Sequence, residues 1–264
     1  MKPKISIVTA CLNCEHTIRK TIESVLEQTY DNFEYIVKDG GSTDRTIEIV
    51  KEYETKFNGR LRIVQKKDTC MYEGMNQGIL IASGEMIGIL NSDDYYSPMT
   101  LEYVSQIYDS EETSFLVVFG DMERISSSGD TICRYHFTQK MIEKKEAFGH
   151  PSMFVSLETY KKIGLYNTTY RLAADGEWQY RMYQNPSIKI VLCSEVFNHM
   201  RAGGASDQRK YRWVWFKERS QMDIKYNKAP KVIVYFRELI SVIAIDIKAI
   251  LPQNVQKIIY NIIR

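Results

Sequence analysis

An α/β protein with a mostly parallel central sheet flanked by helices, and a helical C-terminal extension, is what three features of this 264-residue sequence predict. Short apolar runs alternate with amphipathic stretches from residue 4 to residue 91, the order that parallel strands joined by helices require. The apolar runs carry Ile and Val on both faces, as strands do when helices cover each side of a sheet. From about Gln208 the chain turns basic and helical in pattern.

The elements follow in order. KISIVT (4–9) predicts the first strand, residues 15–28 a helix, and FEYIVKD (33–39) the second strand. Ser42, Thr43 and Asp44 are cap-forming residues ahead of a helix over 44–57. LRIVQ (61–65), a helix over 72–82 and MIGILN (86–91) continue the alternation, and Ser97-Pro98 opens a helix over 98–109. After FLVVFGD (115–121) the pattern loosens into a hairpin around 126–130, a loop carrying Gly149-His150-Pro151, and short helices over 157–163 and 175–184. One domain is therefore expected over 1–207, with a ligand-binding half at 1–121 and a second half at 122–207, followed by a basic tail at 208–264.

With 44% apolar and 26% charged residues, 14 Gly and 6 Pro, the composition excludes a disordered or low-complexity chain. No signal peptide is visible behind Met1-Lys2-Pro3-Lys4, which predicts a cytoplasmic protein. Five cysteines at 11, 14, 70, 133 and 193 form no disulfide framework, so reduced thiols are expected. Cys11 and Cys14 make a CxxC, but no second pair completes four zinc ligands, and two ordinary thiols at a strand-to-helix junction are expected.

In an open parallel sheet, ligands bind beyond the carboxyl ends of the strands. The loops there carry Thr9-Ala10-Cys11, Asp39-Gly40-Gly41-Ser42-Thr43-Asp44 and Asn91-Ser92-Asp93-Asp94. Gathering Asp39, Asp93 and Asp94 at one edge costs Coulomb energy unless a cation or hydrogen-bond donors compensate. Hard carboxylate oxygens suit Mn²⁺ or Mg²⁺, which take their remaining ligands from phosphates and water. A diphosphate ligand is therefore expected. The P-loop and GxGxxG fingerprints are both absent, and the glycines fall instead in DGGSTD, where they allow a tight turn that leaves Asp39 open to a base or ribose.

SIVTACLN, TIESVLEQTYDNFEYIVKDGGSTDRT and GMNQGILIASGEMIGILNSDD, in this order, resemble the family 2 glycosyltransferases of the GT-A fold, particularly bacterial enzymes of surface-polysaccharide synthesis. His150-Pro151-Ser152 and Ala174-Asp175 extend the resemblance more weakly, so that it covers residues 4–206. The resemblance implies an inverting, metal-dependent transfer from a nucleotide-diphosphate sugar, most often a UDP-sugar, to a hydroxyl of a glycan or lipid-linked saccharide. It implies that Thr9, Ala10 and Asp39 hold base and ribose, and that Asp93 and Asp94 supply the metal site. Asn91 stands where the family's metal motif begins with Asp; Asp94 is expected to bind the ion directly, with Asp93 nearer the ribose. Asp68 and residues 71–78 resemble the loop that closes the donor pocket, with Asn76 either a ligand or an ordinary polar helix position.

The same resemblance makes Asp175 the base that removes the acceptor proton. The competing expectation is that Asp175 and Glu177 merely serve a helix start. Arg201 is expected to assist the leaving diphosphate. His150, Glu177 and His199 are candidates for contact with acceptor or donor sugar, and a metal role for either histidine is less natural with a hard cation. Rival readings are a polyprenyl-phosphate glycosyl synthase, whose phosphate acceptor needs little deprotonation, and a non-catalytic carbohydrate-binding module of the same fold.

The net charge of +2 hides an asymmetry: residues 208–264 hold 12 Lys or Arg against 4 Asp or Glu, a local +8 that leaves −6 elsewhere. With Trp213, Trp215, Phe216, Tyr235 and Phe236, the tail suits either an interfacial helix on anionic lipid at the inner face of the membrane or packing on protein, including a homo-oligomer. Lys231, Arg237, Glu238, Asp246 and Lys248 interrupt it too often for a membrane span. No nucleic-acid partner is expected.

Overall fold

The computed structural model describes residues 2–147, 149–204, 209–226, 230–236 and 239–240. The chain divides into two compact units, Met1–Ala202 and Gly203–Arg264.

In the first unit the expected alternation is present: β1 (Ile5–Cys11), α1 (Ile18–Leu26), β2 (Phe33–Asp39), α2 (Thr46–Lys51), β3 (Leu61–Gln65), α3 (Met71–Ile81) and β4 (Met86–Ile89). β1 pairs in parallel with both β2 and β4, and β2 with β3. Every residue of β2 is buried, as a strand with helices on both faces requires. The helix expected over 44–57 is shorter: α2 ends at Lys51, and a 3₁₀ turn over Thr55–Phe57 closes on Asn58, whose φ of 49° is left-handed. Asp44 starts α2, accepting from the Thr46 amide at 3.0 Å and from the Glu15 amide at 3.0 Å, which joins the β2–α2 loop to the one before α1.

Beyond β4 the sheet becomes mixed. β5 (Tyr95–Tyr96), α4 (Thr100–Ser110), β6 (Leu116–Ile125), β7 (Thr131–Tyr135), α5 (Gln139–Glu143), β8 (Met153–Ser156), α6 (Leu157–Ile163), α7 (Ala174–Tyr183) and β9 (Lys189–Arg201) complete the unit. The order is β3-β2-β1-β4-β8-β6-β9-β5, with β7 on β6 as the expected hairpin. β8 lies antiparallel between β4 and β6, while β6 and β9 are parallel. β5, β8 and β9 are the strands that hydrophobic pattern does not reveal: two are short, and β9 shifts register opposite Gly120 and Asp121.

The core joins the apolar faces of β1, β2 and β4 to α1, and continues through Leu116, Val118, Phe154 and Phe197. Gly120 marks the closest approach in it, because a Cβ there would lie 2.0 Å from the buried Phe197 ring. Gly120→Ala is therefore expected to destabilise the protein by about 1–3 kcal/mol through overpacking, read as a lower denaturant midpoint with unchanged slope.

In the second unit a 3₁₀ turn (Arg209–Tyr211) leads into α8 (Arg212–Tyr226), and residues 231–236 are helical. Arg219 stacks on Trp215 at 4.9 Å and Lys225 on Tyr226 at 4.6 Å. The helix expected to run on to Pro252 and the C-terminus falls largely on residues 241–264, outside the described residues. Among the described residues no helix is long and apolar enough to cross a membrane.

Candidate functional site

The carboxyl ends of β1, β2 and β4 bring three loops to one edge. Thr9 is fully buried, and its hydroxyl accepts from Tyr35 at 3.1 Å inside the sheet; Ala10, half-buried beside it, is the more open position. Asp39 is not the open carboxylate that its position suggested. It is 1% exposed and accepts from the Gly41 amide at 3.0 Å, the Ser42 amide at 3.1 Å and the Ser42 hydroxyl. Its own loop uses it because the turn over Gly41, at φ 107°, aims these donors back at the strand end. Asp68 forms an ion pair with the fully buried Lys38. Gly40 and Gly74 make room for this pair, since a Cβ on either would lie 2.8 Å or 3.0 Å from Asp68 Oδ2.

The Asn91–Asp94 loop divides its acids between two tasks. Asp94 is 1% exposed; Oδ1 accepts from the Arg201 amide at 3.0 Å and Oδ2 from Asn91 Nδ2 at 3.0 Å. Burial and then the Asp93 charge push its carboxyl up to about 7. Asp93 is only partly buried and has no hydrogen bond or ion pair from another described side chain; burial raises its carboxyl too, and the Arg201 charge opposes that. Asp93 and Arg201 open on a cleft of about 490 Å³ that also takes in Lys20, Tyr95 and Ser128. Asn91 Oδ1 is buried without a partner.

These features fit a hard divalent cation: a half-open carboxylate, an orphaned amide oxygen in the same loop and a like-charged neighbour. Among the described residues no three His, Cys, Asp or Glu gather around one point. Asn91 and the end of β9 each donate one hydrogen bond to Asp94, which leaves a further lone pair on each oxygen, so Asp94 and the more open Asp93 both stand as candidates for the ion.

Asp175 stands in the first turn of α7 without capping it: the cap position is Ala173, with no side-chain cap. Its Oδ1 accepts from the Tyr72 hydroxyl at 2.8 Å, and its Oδ2 lies 3.2 Å from His150 Nδ1. Desolvation pushes this carboxyl up, but the hydrogen bond and charge of His150, then Tyr72 and the Gly176 amide, outweigh it and hold the group below the usual carboxylate range. His150 is buried, and its Nε2 has no partner.

Three further candidates serve the framework. Glu177, 1% exposed, pairs with Arg181 at 2.9 Å, and that guanidinium also donates to the carbonyls of Ile163 and Leu165, closing the loop before α7. His199 is tied at both nitrogens, 3.0 Å from Ser97 Oγ and 3.4 Å from Glu123, and it stacks on Tyr95; burial holds its imidazole below the ordinary value, against Glu123. Asn76 donates to the Tyr166 carbonyl at 2.8 Å and accepts from the Tyr166 amide at 3.0 Å, so its amide already fastens a loop. Asn76→Ala would leave both backbone groups of the buried Tyr166 unpaired. A stability loss of about 1–3 kcal/mol with donor affinity unchanged is expected, checked by denaturant melts beside calorimetric titration. Tyr72, which the sequence offered only inside the 71–78 segment, is the residue whose hydroxyl reaches Asp175.

This sheet with acid-bearing loops at its strand ends is the architecture of GT-A glycosyltransferases. S. aureus TarS 1–349 in complex with UDP-GlcNAc superposes with a TM-score of 0.66 at 19% identity, over 89% of this chain and 71% of that one. The mannosyltransferase PcManGT from Pyrobaculum calidifontis, in complex with GDP-Man and Mn²⁺, does so at 0.62 and 16%, over 90% and 70%. The chain spans 43% of a longer TarS structure.

The chain belongs to glycosyl transferase family 2, whose model matches residues 6–163. A PGL/p-HBAD biosynthesis glycosyltransferase of Mycobacterium bovis is 31% identical over 187 residues, covering 70% of this chain and 72% of that protein. The putative glycosyltransferase EpsE of Bacillus subtilis is 36% identical over 101 residues, covering 38% and 36%.

Proposed function

We propose that this glycosyltransferase moves a sugar, with inversion, from a UDP-sugar to a hydroxyl of a glycan or lipid-linked saccharide in surface-polysaccharide synthesis. The observation that carries the reading is Asp175, a carboxylate held ionised by Tyr72 and His150 in a chain whose metal-type acids lie on a different loop. As the acceptor oxygen attacks the anomeric carbon, Asp175 takes its proton. The bond from that carbon to the diphosphate breaks with its electron pair leaving on the nucleotide, and the configuration inverts.

Mn²⁺ or Mg²⁺, when bound, supplies positive charge for the leaving diphosphate. Asp93 would hold it as the more open acid of the loop that also carries Asn91 and Asp94, and Asp94 is tied to Asn91 and to the end of β9. Arg201, at the end of β9 and next to Asp93, adds a second positive charge for the diphosphate. Ala10 and the loop built on Asp39 border the nucleotide, and the Lys38–Asp68 pair supports that border from beneath.

Thermal-shift screening of UDP- and GDP-sugars with and without Mn²⁺ tests the donor, because a ligand that binds the folded state raises its melting temperature. The anomeric configuration of the product, read by NMR, tests inversion. If no nucleotide sugar shifts the melt with either metal, the reading fails. The tail's proposed contact with anionic membrane is tested by sedimentation with phosphatidylglycerol vesicles. Salt-sensitive binding of the full chain that is lost on truncation after residue 208 is the expected result.

A further inference from the structure

Helix α3 begins with a tightly built turn. Glu73 accepts from the Thr69 amide at 2.8 Å and from the Thr69 hydroxyl at 2.6 Å, which fixes where the helix starts and therefore which way Tyr72 points. The Tyr72 side chain is 1% exposed, and its ring lies 5.7 Å from that of Tyr166. Asn76 stands one turn further along α3, on the same face, and grips the backbone of Tyr166 at both its amide and its carbonyl. The ring is thus held on one side by a residue that its own helix fastens. The hydroxyl crosses 103 residues of sequence to Asp175 Oδ1.

On this geometry we propose that Tyr72 is a positioning residue for the transfer, holding Asp175 Oδ1 so that the carboxylate, with His150 on Oδ2, keeps a single orientation toward the acceptor. The inference rests on the reading of Asp175 as the base. A carboxylate on the first turn of a helix has several rotamers open to it, and here Tyr72 on Oδ1 and His150 on Oδ2, from different elements, together with the Gly176 amide, select one. Tyr72 also follows Asp68 and precedes Gly74, against which Asp68 packs, so one helix start carries a border of the donor site and the clamp on the base.

The groups facing Asp175 are Tyr72 from α3, His150 from the 3₁₀ turn before β8, and Tyr166 from the loop before α7, with Asp94 in electrostatic reach of His150. The Tyr72 hydroxyl stabilises the charged form of Asp175, so its removal raises the pH at which the base becomes protonated. In Tyr72→Phe, kcat is expected to fall about tenfold to a hundredfold, because misplacement of a reacting group by about 1 Å costs about 10²-fold. KM for the donor should stay within about twofold, and the acid limb of the kcat/KM profile should move to higher pH. A merely structural tyrosine would move the melting temperature and leave that limb in place.

Incorporating 3-fluorotyrosine at position 72 keeps the packing and strengthens the donor. It should move the acid limb to lower pH, and it serves if the phenylalanine variant fails to fold. Asp175→Asn is measured in parallel with full-length protein. If Asp175→Asn is inactive while both Tyr72 replacements keep the wild-type kcat and acid limb, this inference is overturned alone; an Asp175→Asn enzyme with undiminished turnover overturns the base assignment and the inference together.

Discussion

Asp175→Asn is expected to lower kcat by about 10²- to 10⁴-fold, the usual contribution of a positioned general base, while the donor binds as tightly as before. The substitution keeps the side chain's shape. The Asn oxygen can still accept from Tyr72, and its amide can donate to His150 Nδ1 once the imidazole changes tautomer, so neither neighbour is left unpaired. What is lost is the ability to take a proton. Initial rates with a donor and a hydroxyl acceptor, beside calorimetric titration of the nucleotide, separate the two effects. Near-normal turnover would instead favour a phosphate acceptor, which arrives ionised and needs little help from a base, as in a polyprenyl-phosphate glycosyl synthase.

The donor half of the fold was legible because β1, β2 and β3 are continuous apolar runs between clear helix signals, and their observed bounds fall within two residues of those read from the pattern. β8 was hidden behind Pro151, in a run of only four residues, and β9 is mostly half-buried with no period-two alternation while it shifts register on β6. Such strands exist because their neighbours do, which local pattern does not record.

The site shows the same limit. That Asp39, Asp93, Asp94 and Asp175 matter could be read from residue type and position. Which oxygens stay open could not, because the partners come from far away in the chain: the Arg201 amide reaches Asp94 across 107 positions. Asn76 and Glu177 looked like candidates for ligand contact for a related reason. A buried polar side chain and a ligand-binding one have the same composition, and only the identity of the hydrogen-bond partner separates them.

That separation gives Asp93 and Asp94 opposite expected phenotypes. Asp93→Asn removes a charge from the cleft without breaking a hydrogen bond to another described side chain, and the Asn oxygen can still accept from the backbone amide at 93. It is expected to abolish the Mn²⁺-dependent part of the thermal shift given by a nucleotide sugar and to lower kcat/KM by about 10²-fold or more, the scale of metal stabilisation of a leaving group. The melting temperature of the unliganded protein should stay near that of the wild type.

Asp94→Asn acts on the fold first. On the Arg201 side its new amide sets donor against donor; on the Asn91 side the pair is kept only if Asn91 turns its amide, so that its unpartnered Oδ1 accepts and its Nδ2 loses its partner. A buried polar group is left unpaired in either arrangement, so a stability loss of about 1 kcal/mol is expected before any effect on the metal. The Asp94 backbone carbonyl still accepts from Thr21 at 2.8 Å, so the loop stays fastened to α1 and the variant should fold. If Asp94→Asn loses metal dependence at full stability while Asp93→Asn keeps it, the two acids exchange roles, and the direct ligand is the buried one.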